Sequence, residues 1–291
     1  MSIVVTGATG HLGRLAVEAL IERGVPASDI TAGGRRTDSI ADLAERGVRV
    51  VSLDYNQPES LREAFDGAEK VLLVSSSEVG KRTEQHAAAV AAASAAGVKH
   101  LVYTSAPKAD TSSLILAPEH KATEESIRAS GIPSTILRNG WYTENYLGQV
   151  EQSRASGELV ASVGDGRVAS ASRRDFAEAA AVVLTEPGHE ERVYELSGDV
   201  AWDYNELASA IGGIVEREVT FRPVSSEEHF EILKSVGLDD GTAGFVVALD
   251  GNTRDGLLAE TSGDLSKLIG RPTTPLAEGL AAAVSLQGAT A

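Results

Sequence analysis

Gly7, Gly10 and Gly13 follow a short β-branched run in the segment VVTGATGHLG. Three glycines at this spacing, between a strand and an apolar helix, suit a pyrophosphate. Gly7 takes the tight turn, Gly10 lets phosphates approach the backbone, and Gly13 lets the helix pack close to the strand. The helix start, at His11 and Leu12 after Thr9, turns its free N–H groups and positive dipole end toward the anion. A glycine triplet alone also fits a plain tight turn. Its place between strand and helix favours dinucleotide binding.

Roughly 20 residues past such a loop, NAD-specific sites commonly carry an acidic residue for the ribose hydroxyls. Here the chain reads TAGGRRTD, with Arg35 and Arg36. Two guanidiniums suit a 2′-phosphate, since charge-assisted hydrogen bonds contribute roughly 1.5–3 kcal/mol each. NADPH is therefore the expected cofactor and NADH the lesser one, although a solvated basic pair reads the same way and Asp38 tempers the preference. Asp54 and Tyr55 fall where an adenine edge or a simple turn would lie. Ser75, Ser76 and Ser77 end the fourth strand-like run, at the carboxyl side where open α/β sheets bind ligands; an ST-type turn is the alternative.

In LRNGWYTENYL, Asn139, Trp141, Tyr142 and Asn145 offer walls for a flat ring, with stacking contributing about 0.5–1.5 kcal/mol beyond burial. Hinge packing between lobes competes with that reading. His120 with Lys121, and the Tyr103-Thr104-Ser105 run, complete the polar candidates. The sequence contains no HExxH, EF-hand, Walker or GxSxG pattern, and no metal site is expected.

These residues need elements to hold them. Strand-like runs lie at 3–6, 30–33, 49–53, 70–74, 100–104 and 134–137, separated by helical patterns at 12–23, 39–46, 59–65, 82–96 and 119–130. Strict alternation with short links predicts an α/β fold, a Rossmann-like doubly wound parallel sheet with right-handed crossovers. Further on, helices are predicted over 142–153, 174–184, 204–211, 226–236 and 276–286, and strands over 158–163, 192–196 and 219–223. The expected division is a dinucleotide-binding domain of residues 1–141, to which 165–198 returns. Residues 142–164 and 199–291 form a smaller α+β substrate lobe.

A chain of 291 residues with 42% hydrophobic and 23% charged residues suits a globular protein with a sizeable core. A net charge of −16 argues against nucleic acid as a partner. Without cysteine there is no disulfide, thiolate ligand or thiol nucleophile. No apolar stretch spans a bilayer and no basic segment precedes an apolar run at the start. A cytoplasmic monomer or homodimer acting on a small molecule is expected.

Taken together, TGATGHLG, Arg35, SSSEVG, AGVKHLVYTS, LRNGWYTENYL and SKLIGRPTTPLAE resemble the NmrA-like atypical short-chain dehydrogenases/reductases, in their quinone oxidoreductase branch, over almost the whole chain. The resemblance implies that the dinucleotide is held by Gly7 to Gly13, Arg35, Ser75 to Ser77, and the segment Asn139, Gly140, Trp141, Tyr142, Thr143 and Glu144. Arg173, in ASRRD, falls where a family arginine faces the cleft. The wider short-chain dehydrogenases use a Tyr-x-x-x-Lys pair as proton donor. With Glu124 aligned, Leu116 stands at the tyrosine position and His120 at the lysine position. No catalytic residue is assigned; Tyr142, Asn145 and His120 are the candidates. The implied activity is direct hydride transfer from NADPH to a quinone, without flavin, where positioning is the main device. Reduction of triphenylmethane-type dyes and non-catalytic dinucleotide sensing are the alternatives.

Overall fold

Successive residues of a buried strand face opposite sides of a sheet, and the first strands follow that rule. Ile3 and Val5 pack into one apolar cluster while Val4 packs into another; Leu72 and Val102 join the first, and Val71, Leu73, Leu101 and Tyr103 the second. The computed structural model describes residues 1–290, with side chains for 1–287. In chain order its first half comprises β1 (Ile3–Val5), α1 (His11–Glu22), β2 (Ile30–Gly34), α2 (Ala41–Glu45), β3 (Arg49–Ser52), α3 (Pro58–Phe65), β4 (Lys70–Leu73), α4 (Arg82–Ala95), β5 (His100–Ser105), α5 (Ala117–Ser130) and β6 (Ser134–Asn139). Then follow α6 (Leu147–Ser156), β7 (Glu158–Ala161), α7 (Arg173–Thr185), β8 (Val193–Leu196), α8 (Tyr204–Val215), β9 (Thr220–Pro223), α9 (Ser226–Ser235), α10 (Asp240–Arg254), α11 (Asp264–Ile269) and α12 (Leu276–Thr290).

Seven strands form one parallel sheet in the order β3-β2-β1-β4-β5-β6-β8. Helices α1 and α7 pack together over one face, and α3, α4 and α5 line up over the other. The chain winds outward from β1 in one direction and from β4 in the other. Between β1 and β4 the order reverses, and crevices at such switch points are where open α/β sheets bind ligands. A separate parallel pair, β7 and β9, packs with α8 in a third cluster that includes Tyr146, Trp202, Tyr204 and Leu207. Among the described residues, no helix is long and apolar enough to cross a membrane.

Three features differ from expectation. The helix predicted from 142 begins at Leu147, after a 3₁₀ turn at Thr143–Tyr146. The Thr143 N–H donates sideways to the Ala171 carbonyl, fixing the segment in a bridge with that strand-like stretch rather than in an α-turn. Helix α10 was not anticipated because DGTAGFVVALDGNTR carries three glycines, which disfavour helix. Asp239 caps it by accepting from the N–H groups of Gly241 and Thr242. Helix α11, also unanticipated, packs on α7 and β8 through Leu265, so the 199–291 stretch is not confined to the smaller lobe.

Candidate functional site

At the carboxyl end of β1 the chain turns at Gly7, whose φ of +61° is the left-handed region that favours glycine. The Gly10 N–H donates to the Gly7 carbonyl over 2.9 Å, closing the turn directly under α1. A Cβ at Gly13 would stand 2.4 Å from that same carbonyl oxygen, so only glycine lets the helix approach this closely. No side chain caps α1, which leaves its first N–H groups facing outward. Gly34 is held bare for a related reason, since a Cβ there would lie 2.5 Å from the Thr9 methyl.

A cleft of about 650 Å³ opens over this turn. It gathers Gly7, Thr9, Gly10, His11, Leu12 and Gly13 from the loop, Arg35 and Arg36 beyond β2, Asp54 beyond β3, Ser75, Ser76 and Ser77 beyond β4, and Arg173 from α7. Five residues not singled out for this cleft also line it: Gly34, Leu53, Val74, Glu78 and Gln85. Arg35 donates to Glu78 Oε1 over 2.8 Å. Asp54 is turned inward on its own loop, accepting from the Asn56 main-chain and side-chain nitrogens. The Tyr55 hydroxyl lies 2.6 Å from both Thr6 Oγ1 and the Val74 carbonyl, joining β1, β3 and β4 beneath the cleft; burial raises its pKa.

The serine segment is clamped from behind. Ser75 N–H donates to Thr104 Oγ1 over 2.9 Å. The Ser76 N–H donates to His86 Nε2 over 3.0 Å, and Arg82 Nε donates to the Ser76 carbonyl over 2.8 Å. Arg82 is itself buried and paired with Glu119, whose other oxygen accepts from the Gly80 N–H. Because Nε2 accepts, the neutral imidazole carries its proton on Nδ1 and donates to Thr123 Oγ1, 2.9 Å away. Burial, and secondarily Arg82, lower the His86 pKa to about 3. Sequence offered no local sign of this clamp: the loop before α4 folds back onto Arg82 and His86, and Glu119 joins only through the packing of α4 on α5.

The 139–145 segment is divided rather than gathered. Trp141 packs in the cluster of the smaller lobe, whereas Tyr142 packs against the large sheet's cluster and edge-on to Phe176, 5.2 Å between centroids. Thr143 is buried against Ser170, and Gly140 lies on a different cavity of about 280 Å³, with Lys108, Glu195 and Ser262 among its walls. Asn139 is buried and donates to the Tyr142 hydroxyl. These residues therefore join the two cores, and none of them is among the residues lining the glycine-loop cleft. Arg173 connects this segment to the cleft. Its guanidinium stacks over the Tyr142 ring at 4.8 Å and donates to Asn145 Oδ1, and its N–H donates to Glu144.

His120 lies apart from the cleft. It is buried, with Nδ1 2.7 Å from the Tyr103 hydroxyl. Burial, with lesser contributions from Arg82 and His86, lowers its pKa to about 3. Among the described residues no group of acidic and histidine side chains could hold a metal ion.

The model of the NmrA-like family matches residues 1–250. The chain is 47% identical to quinone oxidoreductase 2 of Escherichia coli (strain K12) over 276 residues, covering 95% of this chain and 96% of that protein. It is similar to the crystal structure of the NADPH-dependent quinone oxidoreductase from Escherichia coli complexed with NADPH, at a TM-score of 0.91 and 46% identity, over 98% of this chain and 99% of that one. The Citrobacter sp. triphenylmethane reductase complexed with NADP(H) is similar too, with a TM-score of 0.91 and 42% identity over 97% of this chain and all (100%) of the other.

Proposed function

The chain belongs to the NmrA-like family, and from that premise we propose that it is an NADPH-dependent quinone reductase passing hydride directly to a quinone. The observation that carries the reading is the single cleft in which the glycine turn, Arg35, Arg36 and Ser75 to Ser77 converge at the β1–β4 switch point.

The residues present fit the cofactor. An uncapped helix start above Gly7 and Gly10 suits the pyrophosphate. Arg35 and Arg36 suit a 2′-phosphate, and no acidic residue stands at the end of β2. Gln85 lines the same cleft, and its Oε1 has no hydrogen-bond partner among the described residues, leaving an acceptor for an exocyclic amine at the adenosine end. Ser75 to Ser77, clamped through His86 and Arg82, face the cofactor's central portion. Arg173 and the Tyr142 it stacks on border the far end. When bound, NADPH supplies the hydride.

The protein's own contribution is binding and orientation. With Leu116 and a buried His120 at the positions of the usual proton-donating pair, ketone reduction lacks its acid. A quinone needs none, because the anion formed on hydride transfer is delocalised and takes its proton from water. In this reading residues 1–141 and 165–198 hold the cofactor, and 142–164 and 199–291, apart from α11 on the large sheet, shape the acceptor side. The protein acts in the cytoplasm as a monomer or homodimer on small molecules, and a net charge of −16 supports the exclusion of nucleic acid.

Oxidation of NADPH by menadione or a benzoquinone, followed at the nicotinamide absorbance, tests the proposal. Turnover without added flavin is expected. No turnover across a panel of quinones would remove it, and turnover confined to triphenylmethane dyes would transfer it to the dye-reducing reading.

A further inference from the structure

An acid stands where the phosphate-reading arginine needs to be free. Arg35 Nη1 is 2.8 Å from Glu78 Oε1, and the other carboxylate oxygen of Glu78 lies 3.5 Å from Lys81 Nζ. Both Arg35 and Glu78 line the cofactor cleft, so the pair ties the end of β2 to the serine segment beyond β4 across its mouth. The Glu78 N–H also donates to Ser76 Oγ, fixing the carboxylate on the clamped segment rather than on a loose tip. Its side chain is 28% exposed against 60% for Arg35, so the acid is the more firmly placed partner.

We propose that Glu78 sets the margin by which this site prefers NADPH over NADH, holding Arg35 in the free protein and ceding it to the 2′-phosphate. The inference rests on the NADPH reading above. A phosphate arriving at Arg35 must displace one anion from the guanidinium and then sit beside it, and both effects oppose binding. Neutral ribose hydroxyls meet neither obstacle, and a carboxylate can accept from them, as the acidic residue of NAD-specific sites does. Glu78 thus weakens the phosphorylated cofactor selectively, while Arg36 and Lys81 keep the region cationic enough to admit it. The resulting enzyme accepts both carriers with a narrowed preference.

The test is Glu78→Gln, which keeps the shape and removes the charge, with dissociation constants for NADPH and NADH measured by nicotinamide fluorescence. Surface ion pairs are modest in strength, so a fall of about threefold in the NADPH constant is expected, with the NADH constant unchanged or raised. The shift in the ratio should fade as salt increases, because screening weakens an exposed repulsion. An unchanged thermal midpoint shows that the variant is folded. If wild type binds NADPH but the ratio is unmoved in Glu78→Gln, or NADPH is weakened, the role of Glu78 is overturned. Failure of wild type to bind NADPH at all would instead overturn the reading of the cleft.

Discussion

His86 Nε2 accepts the main-chain N–H of Ser76 across 3.0 Å, so a buried imidazole on α4 fixes the strand-end loop that borders the cofactor cleft. The bond exists only while Nε2 is unprotonated. The low pKa of His86 therefore belongs to the architecture of the loop, and His120, buried on Tyr103, shares the same condition.

Acid should consequently destabilise the fold before the carboxylates titrate. Both histidines are neutral in the folded protein down to about pH 3, whereas an unfolded histidine protonates near 6.5. Their contribution to stability is complete above pH 6.5 and declines as pH falls, because only the unfolded chain gains protons. For each histidine the slope should steepen from well below about 1 kcal/mol per pH unit at pH 7 toward about 1.4 kcal/mol per pH unit near pH 5, and His100, lowered mainly by burial, adds in the same direction. Urea unfolding between pH 7 and pH 5 measures it. The slope should shrink in His120→Gln, and a flat profile in wild type would contradict the neutral assignment.

Gly13→Ala should damage the cofactor site and the fold together. The added carbon meets the Gly7 carbonyl oxygen at 2.4 Å and the Ala8 Cα at 2.9 Å, both backbone atoms that cannot swing away. Separating α1 from the turn should cost about 1–3 kcal/mol and weaken NADPH binding. Gly148→Ala, in α6, adds a methyl to open space without a positive φ, and should stabilise by about 0.5–1 kcal/mol. Thermal midpoints of the two variants should move in opposite directions.

Glu124 is fully buried and accepts from Arg138 through both oxygens and from Ser105. Removing Glu124 takes away the buried carboxylate on Nε and Nη2 of Arg138 and leaves it only Asp110 and Glu195, both on Nη1 and nearer the surface. Glu124→Gln should therefore lose less than the roughly 3–5 kcal/mol of a fully unpaired buried charge, while a Glu124→Gln/Arg138→Met double variant should recover part of it. Denaturant midpoints read the difference, and additive losses in the double variant would show that the two charges do not depend on each other.

The parts of this site legible in the sequence are those whose chemistry is local. Gly7, Gly10 and Gly13 act within one turn, and Arg35 and Ser75 to Ser77 sit at strand ends that apolar runs mark clearly. The clamp on Ser76 was hidden because no local pattern shows the loop folding back onto His86 and Arg82, and Glu119 joins only when α5 packs beside α4. The packing of Trp141 and Tyr142 was not legible, because an aromatic pair suits a ring-binding wall and a link between cores equally well. Only the structure sends the two neighbours into different cores. Helix α10 was obscured by glycines at 241, 244 and 251, although Asp239 ahead of it was a capping signal.

Arg35→Ala is expected to discriminate between the two carriers. Arg35 stands at the end of β2 on the cleft, and among the described residues its exposed guanidinium reaches only Glu78 in the free protein. A charged hydrogen bond to a phosphate contributes roughly 1.5–3 kcal/mol, so the loss should be about tenfold or more in NADPH affinity. NADH presents no phosphate there, so its affinity should change little. The maximal rate with saturating NADPH should also persist if, as proposed, the arginine meets the adenosine end rather than the reacting ring. Calorimetric constants with both cofactors decide the matter: equal losses would show that Arg35 supports the cleft generally and does not read the phosphate.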